Sequence, residues 1–377
     1  MQNRRRELLC MAAGMALPWP PAQARSDSIA EPRALRFPRD NGTHNDAKTE
    51  WWYLTGYATG TDGNTYGFQV TFFRSRVDGT QALQSRLAAK HLLFAHAAIA
   101  DVKGQQLWHD QRIARWNGEA TASQPGFDSP GAAFAQANDT GVALRGWSLR
   151  RLPDGRYQAR VNASDFQIEL NALPMQSHLL QGQNGFSRKG PEPAQSSFYV
   201  SQPQLGVSGR LTVKGKPIAI QQGRAWLDHE WSESLLHPDA VGWDWIGMNL
   251  DNGDSLTAFR LRRADGTSLW AGGSWRSAAQ RDAPLGAQIF NHDAVLFEPL
   301  RHWTSPLTRA RYPVAWRVTS PAGVFTVQAL VDAQELDSRQ STGTVYWEGL
   351  SDLLDAQAKR VGRGYLEMTG YAQRLVL

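Results

Sequence analysis

The sequence predicts an all-β protein made of two related antiparallel β-barrels. Three observations support this fold class. Short strand-like runs alternate with Gly, Asn, Asp and Pro turns, amphipathic helical patterns are scarce, and one tryptophan-led hairpin pattern occurs twice. The chain of 377 residues is long enough for two domains of roughly 100–200 residues each.

The strand predictions follow chain order. Each run is rich in β-branched, aromatic or alternating apolar residues and ends near a turn-forming residue. The predicted strands lie at 52–57, 66–73, 92–100, 157–161, 166–170, 209–213, 243–250, 255–261, 316–318, 325–330 and 364–371. One segment, 350–361, has apolar residues at helical spacing and is predicted to form a helix.

The repeated hairpin indicates a duplicated unit. The first copy spans 51–74 with a turn at Asp62-Gly63, and the second spans 243–261 with an acidic and glycine-containing turn at 251–253. Each unit would then hold roughly 140–180 residues, which suits an eight-stranded barrel that removes its own edges and holds one small ligand.

The N-terminus has the pattern of an export signal, which we assign to residues 1–24. Three arginines precede a short apolar run, and Ala22-Gln23-Ala24 offers a cleavage site after Ala24. The paired arginines also resemble a twin-arginine signal. We therefore predict a periplasmic protein whose residues 25–44 form an N-terminal extension.

Composition excludes several classes of function. Cys10 is the one cysteine and lies in the leader, so the mature chain has no cysteine for a zinc site, a disulfide or a nucleophile. Loss of the leader lowers the formal charge from +5 to +3, and no basic stripe indicates nucleic-acid binding. Nucleotide-binding and serine-hydrolase motifs are missing from the sequence.

The densest group of chemical residues is the run 226–231. In a strand, alternate side chains point to opposite faces. Asp228 and Glu230 would then share one face with Trp226, and His229 and Trp231 would share the other with Leu227.

Several segments resemble the carotenoid 1,2-hydratase (hydroxyneurosporene synthase) family and its secreted lipocalin-like relatives. The segments are KTEWWYLTG at 48–56, GQNGFSRKG at 182–190 with SFY at 197–199, GRAWLDHEW at 223–231, WDWIG at 243–247, YWEG at 346–349 and GYLEMTGY at 364–371. The resemblance runs from about residue 45 to the end of the chain. It implies two tandem lipocalin-like (calycin-type) barrels, which we place at 45–225 and 226–377.

The resemblance also implies a chemistry and the residues that perform it. It favours cofactor-independent acid-catalysed addition of water to a terminal C=C bond of an isoprenoid, with His229 and Trp231 at the site. Asp244 is the first choice for the proton donor, and Asp228 and Glu230 are the alternatives. Ligand contacts are expected from Trp231, Trp243, Trp245 and Tyr199.

Other interpretations stay open at this level. The protein could instead be an exported carrier of a lipid or other apolar molecule that serves an ABC exporter or contacts a membrane surface. His229 could be a hydrogen-bonded structural residue, and Asp228 and Glu230 could pair with Arg224 or another cation at the joint between the barrels. Glu50 could close the barrel end by pairing with Arg74 or Arg76. No His or acidic spacing indicates a metal site, so neither a metal nor a cofactor is predicted.

Overall fold

The computed structural model describes residues 31–119, 126–234 and 236–375. Its described residues form an all-β protein of two antiparallel sheets, which confirms the predicted fold class of two barrels. The predicted signal peptide and Cys10 lie outside the described residues. Within the described part of the chain, no helix is long and apolar enough to cross a lipid bilayer.

The first sheet has thirteen strands and forms an almost closed barrel. Its edge strands β4 and β5 approach each other. The strands are β1 Thr49–Gly60, β2 Thr65–Arg76, β3 His91–Asp101, β4 Gln106–Trp116, β5 Ala133–Ala135, β6 Gly141–Leu144, β7 Trp147–Arg151, β8 Tyr157–Asn162, β9 Phe166–Leu173, β10 Leu179–Leu180, β11 Phe186–Arg188, β12 Ser196–Val213 and β13 Lys216–Ser234.

The second sheet has ten strands and is led by the hairpin β14–β15. The strands are β14 Gly242–Leu250, β15 Ser255–Arg262, β16 Ser268–Arg276, β17 Gln288–Phe290, β18 Leu296–Thr304, β19 Arg311–Ser320, β20 Gly323–Ala329, β21 Glu335–Ser338, β22 Thr344–Leu354 and β23 Arg360–Met368. Single-turn 3₁₀ helices occur at Arg39–Asn41, Asp78–Thr80 and Ala278–Gln280.

The repeated hairpins occupy equivalent positions in the two sheets. The pair β1–β2 and the pair β14–β15 are both antiparallel, and both begin with the tryptophans that the sequence singled out. The change from one sheet to the other lies between Ser234 and Gly242, because β13 belongs entirely to the first sheet. This is later in the chain than the division we expected between residues 225 and 226, which cuts through β13.

The predicted helix at 350–361 is wrong. The segment forms the end of β22, a turn and the start of β23. Apolar residues fall at helical spacing there because β22 is buried on both faces, so its strand-like alternation is lost.

Side chains fill both barrels. Separate apolar clusters occupy the interior of the first and the second sheet. A third apolar cluster joins the two sheets and includes Tyr53, Trp226, Trp245, Phe259 and Tyr365. The cavity described below lies between the barrels, beside this third cluster.

Candidate functional site

A cavity of about 310 Å³ lies between the two sheets. This volume is at the lower end of the range of roughly 300–1,000 Å³ that is typical of small-molecule sites. Its apolar wall comes from both sheets and consists of Trp51, Phe73, Phe94, Leu236, Trp243, Trp245, Phe259, Leu261, Val345 and Leu375. Such a wall suits an apolar ligand of modest length.

The first polar group of the cavity is on β13. Asp228 and Glu230 line the cavity, as their alternation along the strand requires. The Asp228 carboxylate accepts hydrogen bonds from the Tyr199 hydroxyl at 2.7 Å, the Ser201 hydroxyl at 2.6 Å and the Trp226 indole N–H at 2.6 Å. Burial nevertheless raises the pKa of Asp228 to about 7, and the three donors only limit that rise.

The second polar group is a pair of carboxyl groups on the second sheet. Glu348 of β22 and Glu367 of β23 are direct antiparallel partners and line the same cavity. Directly opposed residues place their Cβ atoms roughly 5 Å apart on one face. Burial raises the pKa of Glu367 to about 7, and the charges of Asp228 and Glu230 add to the rise.

Of the carboxyl groups in the cavity, Glu348 is the one best suited to donate a proton. It is 2% exposed, and neither of its carboxyl oxygens has a hydrogen-bond partner among the described residues. Burial raises the pKa of Glu348 well above its ordinary value, the charge of Glu367 raises it further, and the nearby Tyr53 and Gln69 moderate the rise. Burial therefore favours the neutral carboxylic acid form of Glu348, which has a proton to donate.

The third polar group contains a buried lysine of the cavity wall. Lys189 lies 3.0 Å from the Glu230 carboxylate, which also accepts a hydrogen bond from the Ser197 hydroxyl. Neither Asp228 nor Glu230 pairs with Arg224, which donates to the side-chain oxygen of Gln204. Glu230 pairs instead with Lys189, the other kind of cation that the sequence interpretation allowed.

His229 and Trp231 lie on the opposite face of β13, away from the cavity. His229 stacks on Trp52 with ring centroids 4.9 Å apart, and Trp231 stacks on His44 at 3.7 Å. Burial lowers the pKa of His229, and Glu50 opposes that shift. Both residues belong to a packed cluster at the end of the first barrel.

Glu50 is the centre of that cluster. Its carboxylate accepts hydrogen bonds from Arg74 Nε at 2.9 Å, His229 Nε2 at 3.0 Å, His44 Nδ1 at 2.9 Å and the Thr43 hydroxyl at 2.7 Å. Burial opposes ionisation, but the charge of Arg74 and the imidazole donors hold the pKa of Glu50 well below its usual range. The predicted pairing of Glu50 with Arg74 is confirmed.

The same cluster brings together the residue types of a metal site. His44, Glu50 and His229 offer ligand atoms within 4.8 Å of one another, a grouping that sequence spacing did not indicate. Both Glu50 oxygens already accept several hydrogen bonds, and the Arg74 guanidinium beside them repels a cation. The donor set therefore fits a hydrogen-bonded network better than a metal ion.

Asp244 lies inside the second barrel and is not among the described residues that line the cavity. Its carboxylate accepts hydrogen bonds from Arg260 Nε at 2.8 Å, Arg262 Nη1 at 3.0 Å and the Tyr371 hydroxyl at 2.9 Å. Two guanidinium groups hold this residue as a paired carboxylate, which suits a structural ion pair and not a proton donor.

The structure thus divides the predicted site residues into three places. Asp228, Glu230, Tyr199, Trp243 and Trp245 meet at the cavity, His229 and Trp231 pack in the first barrel, and Asp244 packs in the second. Sequence reasoning missed Lys189, Glu348 and Glu367. Each lies within a segment that resembles the family, so the segments themselves were the available signal.

Two β-barrels in tandem, with an acid-lined cavity between them, define the class of protein to which this chain belongs. The chain belongs to the AttH-like family, whose family model matches residues 28–371. The resemblance to the hydratase group inferred from the sequence is thereby confirmed.

Solved structures support this assignment. A protein assigned to AttH from Nitrosomonas europaea is 42% identical with a TM-score of 0.79, and the match covers 91% of this chain and 99% of that one. Kievitone hydratase from Nectria haematococca shares the fold at 15% identity and a TM-score of 0.64, covering 92% and 95% of the two chains. CghA with Sch210972 does so at 14% identity and 0.54, covering 91% and 95%. No curated protein sequence matches this chain significantly.

Proposed function

We propose that this protein binds a small apolar molecule between its barrels and adds water across a C=C bond by acid catalysis, without a cofactor. The observation that carries the proposal is the buried carboxyl of Glu348, whose oxygens have no hydrogen-bond partner within 3.5 Å among the described residues and which lines a cavity with an apolar wall. A carrier of apolar molecules gains nothing from a buried neutral acid, whereas an acid catalyst of alkene protonation requires one.

The proposed reaction is balanced within the cavity. The Glu348 carboxyl gives its proton to one alkene carbon, and the π electrons form the new C–H bond. The carbocation on the other carbon is stabilised by the faces of Trp51, Trp243 and Trp245. A water oxygen then bonds to that carbon, and the Glu367 or Asp228 carboxylate takes the proton that the water loses. The reverse sequence eliminates water.

The experiment uses isotopically labelled water. The purified protein is incubated in heavy-oxygen water with geranylacetone, which carries a terminal isoprenoid double bond, and with neurosporene, of which only one end fits the volume. The wild type should form a labelled tertiary alcohol, detected by mass spectrometry. Glu348→Gln should slow this reaction by about 10²–10⁴-fold, the usual contribution of a general acid.

The matched control is Glu169→Gln, which changes a glutamate on β9 that pairs with Arg210 at the surface. It should leave turnover unchanged. Unaltered turnover in Glu348→Gln would assign the acid elsewhere, and absence of labelled product from the wild type with both compounds would overturn the proposed reaction.

The apolar wall also favours a second candidate, an exported carrier of an apolar molecule that serves an ABC exporter or a membrane surface. A carrier would retain its ligand without converting it. Native mass spectrometry of the purified protein should then detect a bound lipid, and labelled water should enter no product. Export to the periplasm, part of either proposal, predicts a mature N-terminus at Arg25, which N-terminal sequencing of the periplasmic fraction checks.

A further inference from the structure

Lys189 is a buried cation in a site that already has a complete ion pair. The residue follows β11 and is 5% exposed. Its backbone N–H donates to the Gln195 carbonyl at 2.7 Å, and the preceding Arg188 carbonyl accepts from the Trp270 indole at 3.1 Å. These bonds attach the segment to both sheets, so the position of the lysine is fixed before a ligand arrives.

The ammonium is only partly satisfied by the protein. Within the described part of the chain, Glu230 is the one carboxylate within 4.0 Å of it. The remaining N–H groups lie over ring faces, with Nζ 4.4 Å from the Tyr199 centroid and 4.2 Å from the Phe259 centroid. Aromatic faces attract a cation, but they do not replace an oxygen acceptor.

The charge of the cavity narrows the kind of acceptor that fits. Glu230 already neutralises Lys189, and Asp228 and Glu367 line the same space. A ligand carboxylate or phosphate would meet these acidic groups and be repelled. A carbonyl or hydroxyl oxygen accepts a hydrogen bond from the ammonium without bringing a further negative charge.

We infer that Lys189 binds a neutral carbonyl or hydroxyl oxygen of the ligand. The preferred substrate class is accordingly an oxygenated apolar molecule over a plain hydrocarbon, an inference that rests on the proposed ligand-binding function of the cavity. The oxygen is held on the side of the first sheet by Lys189, and the carbon skeleton extends along the aromatic wall towards Glu348 and Glu367 of the second sheet.

The test compares two ligands that differ at one group. Geranylacetone and the diene in which a methylene replaces its carbonyl are titrated into the protein while tryptophan fluorescence is followed. The wild type should bind the ketone about tenfold more tightly, as expected for a hydrogen bond from a charged donor. The double variant Lys189→Met/Glu230→Gln should bind the two ligands equally, and its second substitution avoids a buried unpaired carboxylate.

A matched control completes the comparison. Lys103→Met, which changes an exposed lysine, should keep the tenfold preference. If the wild type binds the ketone and the diene equally, or if the double variant keeps the preference, the proposed role of Lys189 is overturned. The proposed ligand-binding function of the cavity would stand in both cases. Failure of the wild type to bind either ligand would overturn the ligand-binding function as well.

Discussion

Glu50 and Glu348 are both buried glutamates, yet their pKa values are shifted in opposite directions. Glu50 is 0% exposed and receives a guanidinium, two imidazoles and a hydroxyl, and its pKa lies well below the usual range. Glu348 is 2% exposed, has no hydrogen-bond partner among the described residues and faces a second acid, so its pKa lies well above it. Burial alone does not decide whether a carboxyl stabilises the fold or performs chemistry; its partners do.

The largest expected effect comes from removing the partner of Glu50. Arg74→Met leaves a buried carboxylate without its cation, so the free energy of unfolding should fall by about 3–5 kcal/mol. Urea denaturation measures the loss. Arg156→Met, which breaks an exposed pair with Asp154, should leave the free energy of unfolding essentially unchanged. A similarly small change in Arg74→Met would remove the distinction between the two glutamates.

The second effect is the pH dependence of stability that Glu367 contributes. Its pKa is raised in the folded protein whereas that of Glu50 is lowered, so the two residues change the free energy of unfolding with pH in opposite senses. The unfolded chain loses the Glu367 proton near pH 4.5, while the folded protein keeps it up to about pH 7. The folded state therefore binds more protons in this window, and the free energy of unfolding falls as pH rises through it, by at most about 1.4 kcal/mol per pH unit from this group. Glu367→Gln should make the decline shallower when urea denaturation is measured from pH 4.5 to 7. An unchanged slope would mean that Glu367 ionises normally in the folded protein.

The smallest expected effect comes from His229, which lies on β13 but faces away from the cavity. His229→Phe keeps the ring stack but removes a hydrogen bond to a charged acceptor, so it should lower the free energy of unfolding by about 1.5–3 kcal/mol. Its affinity for geranylacetone should equal that of the wild type, because His229 lies away from the cavity. If His229→Phe kept the full free energy of unfolding but lost binding or turnover, His229 would have to be assigned to the active site.

The sequence predicted those features that depend on local pattern. Alternation placed Asp228 and His229 on different faces, and the repeated hairpins correctly indicated two related units. The same alternation along β14 separates Asp244 from Trp243 and Trp245, because Asp244 packs in the second barrel while the two tryptophans line the cavity.

The features it missed depend on the register between paired segments. Glu348 and Glu367 become neighbours because β22 and β23 pair directly, and the sequence pattern predicts a helix over much of that hairpin. The N-terminal extension was given no function, yet His44 and Asp40 complete the network around Glu50. Register decides such contacts, and a linear pattern does not specify it.

The position of the cavity between the barrels has a consequence for its chemistry. Its walls combine Trp51 and Asp228 from one copy of the repeated unit with Trp245 and Glu367 from the other. Either barrel alone would leave its half of this surface exposed to water, where burial could not raise the pKa of its acids. The proposed chemistry therefore requires both units and the boundary that they share.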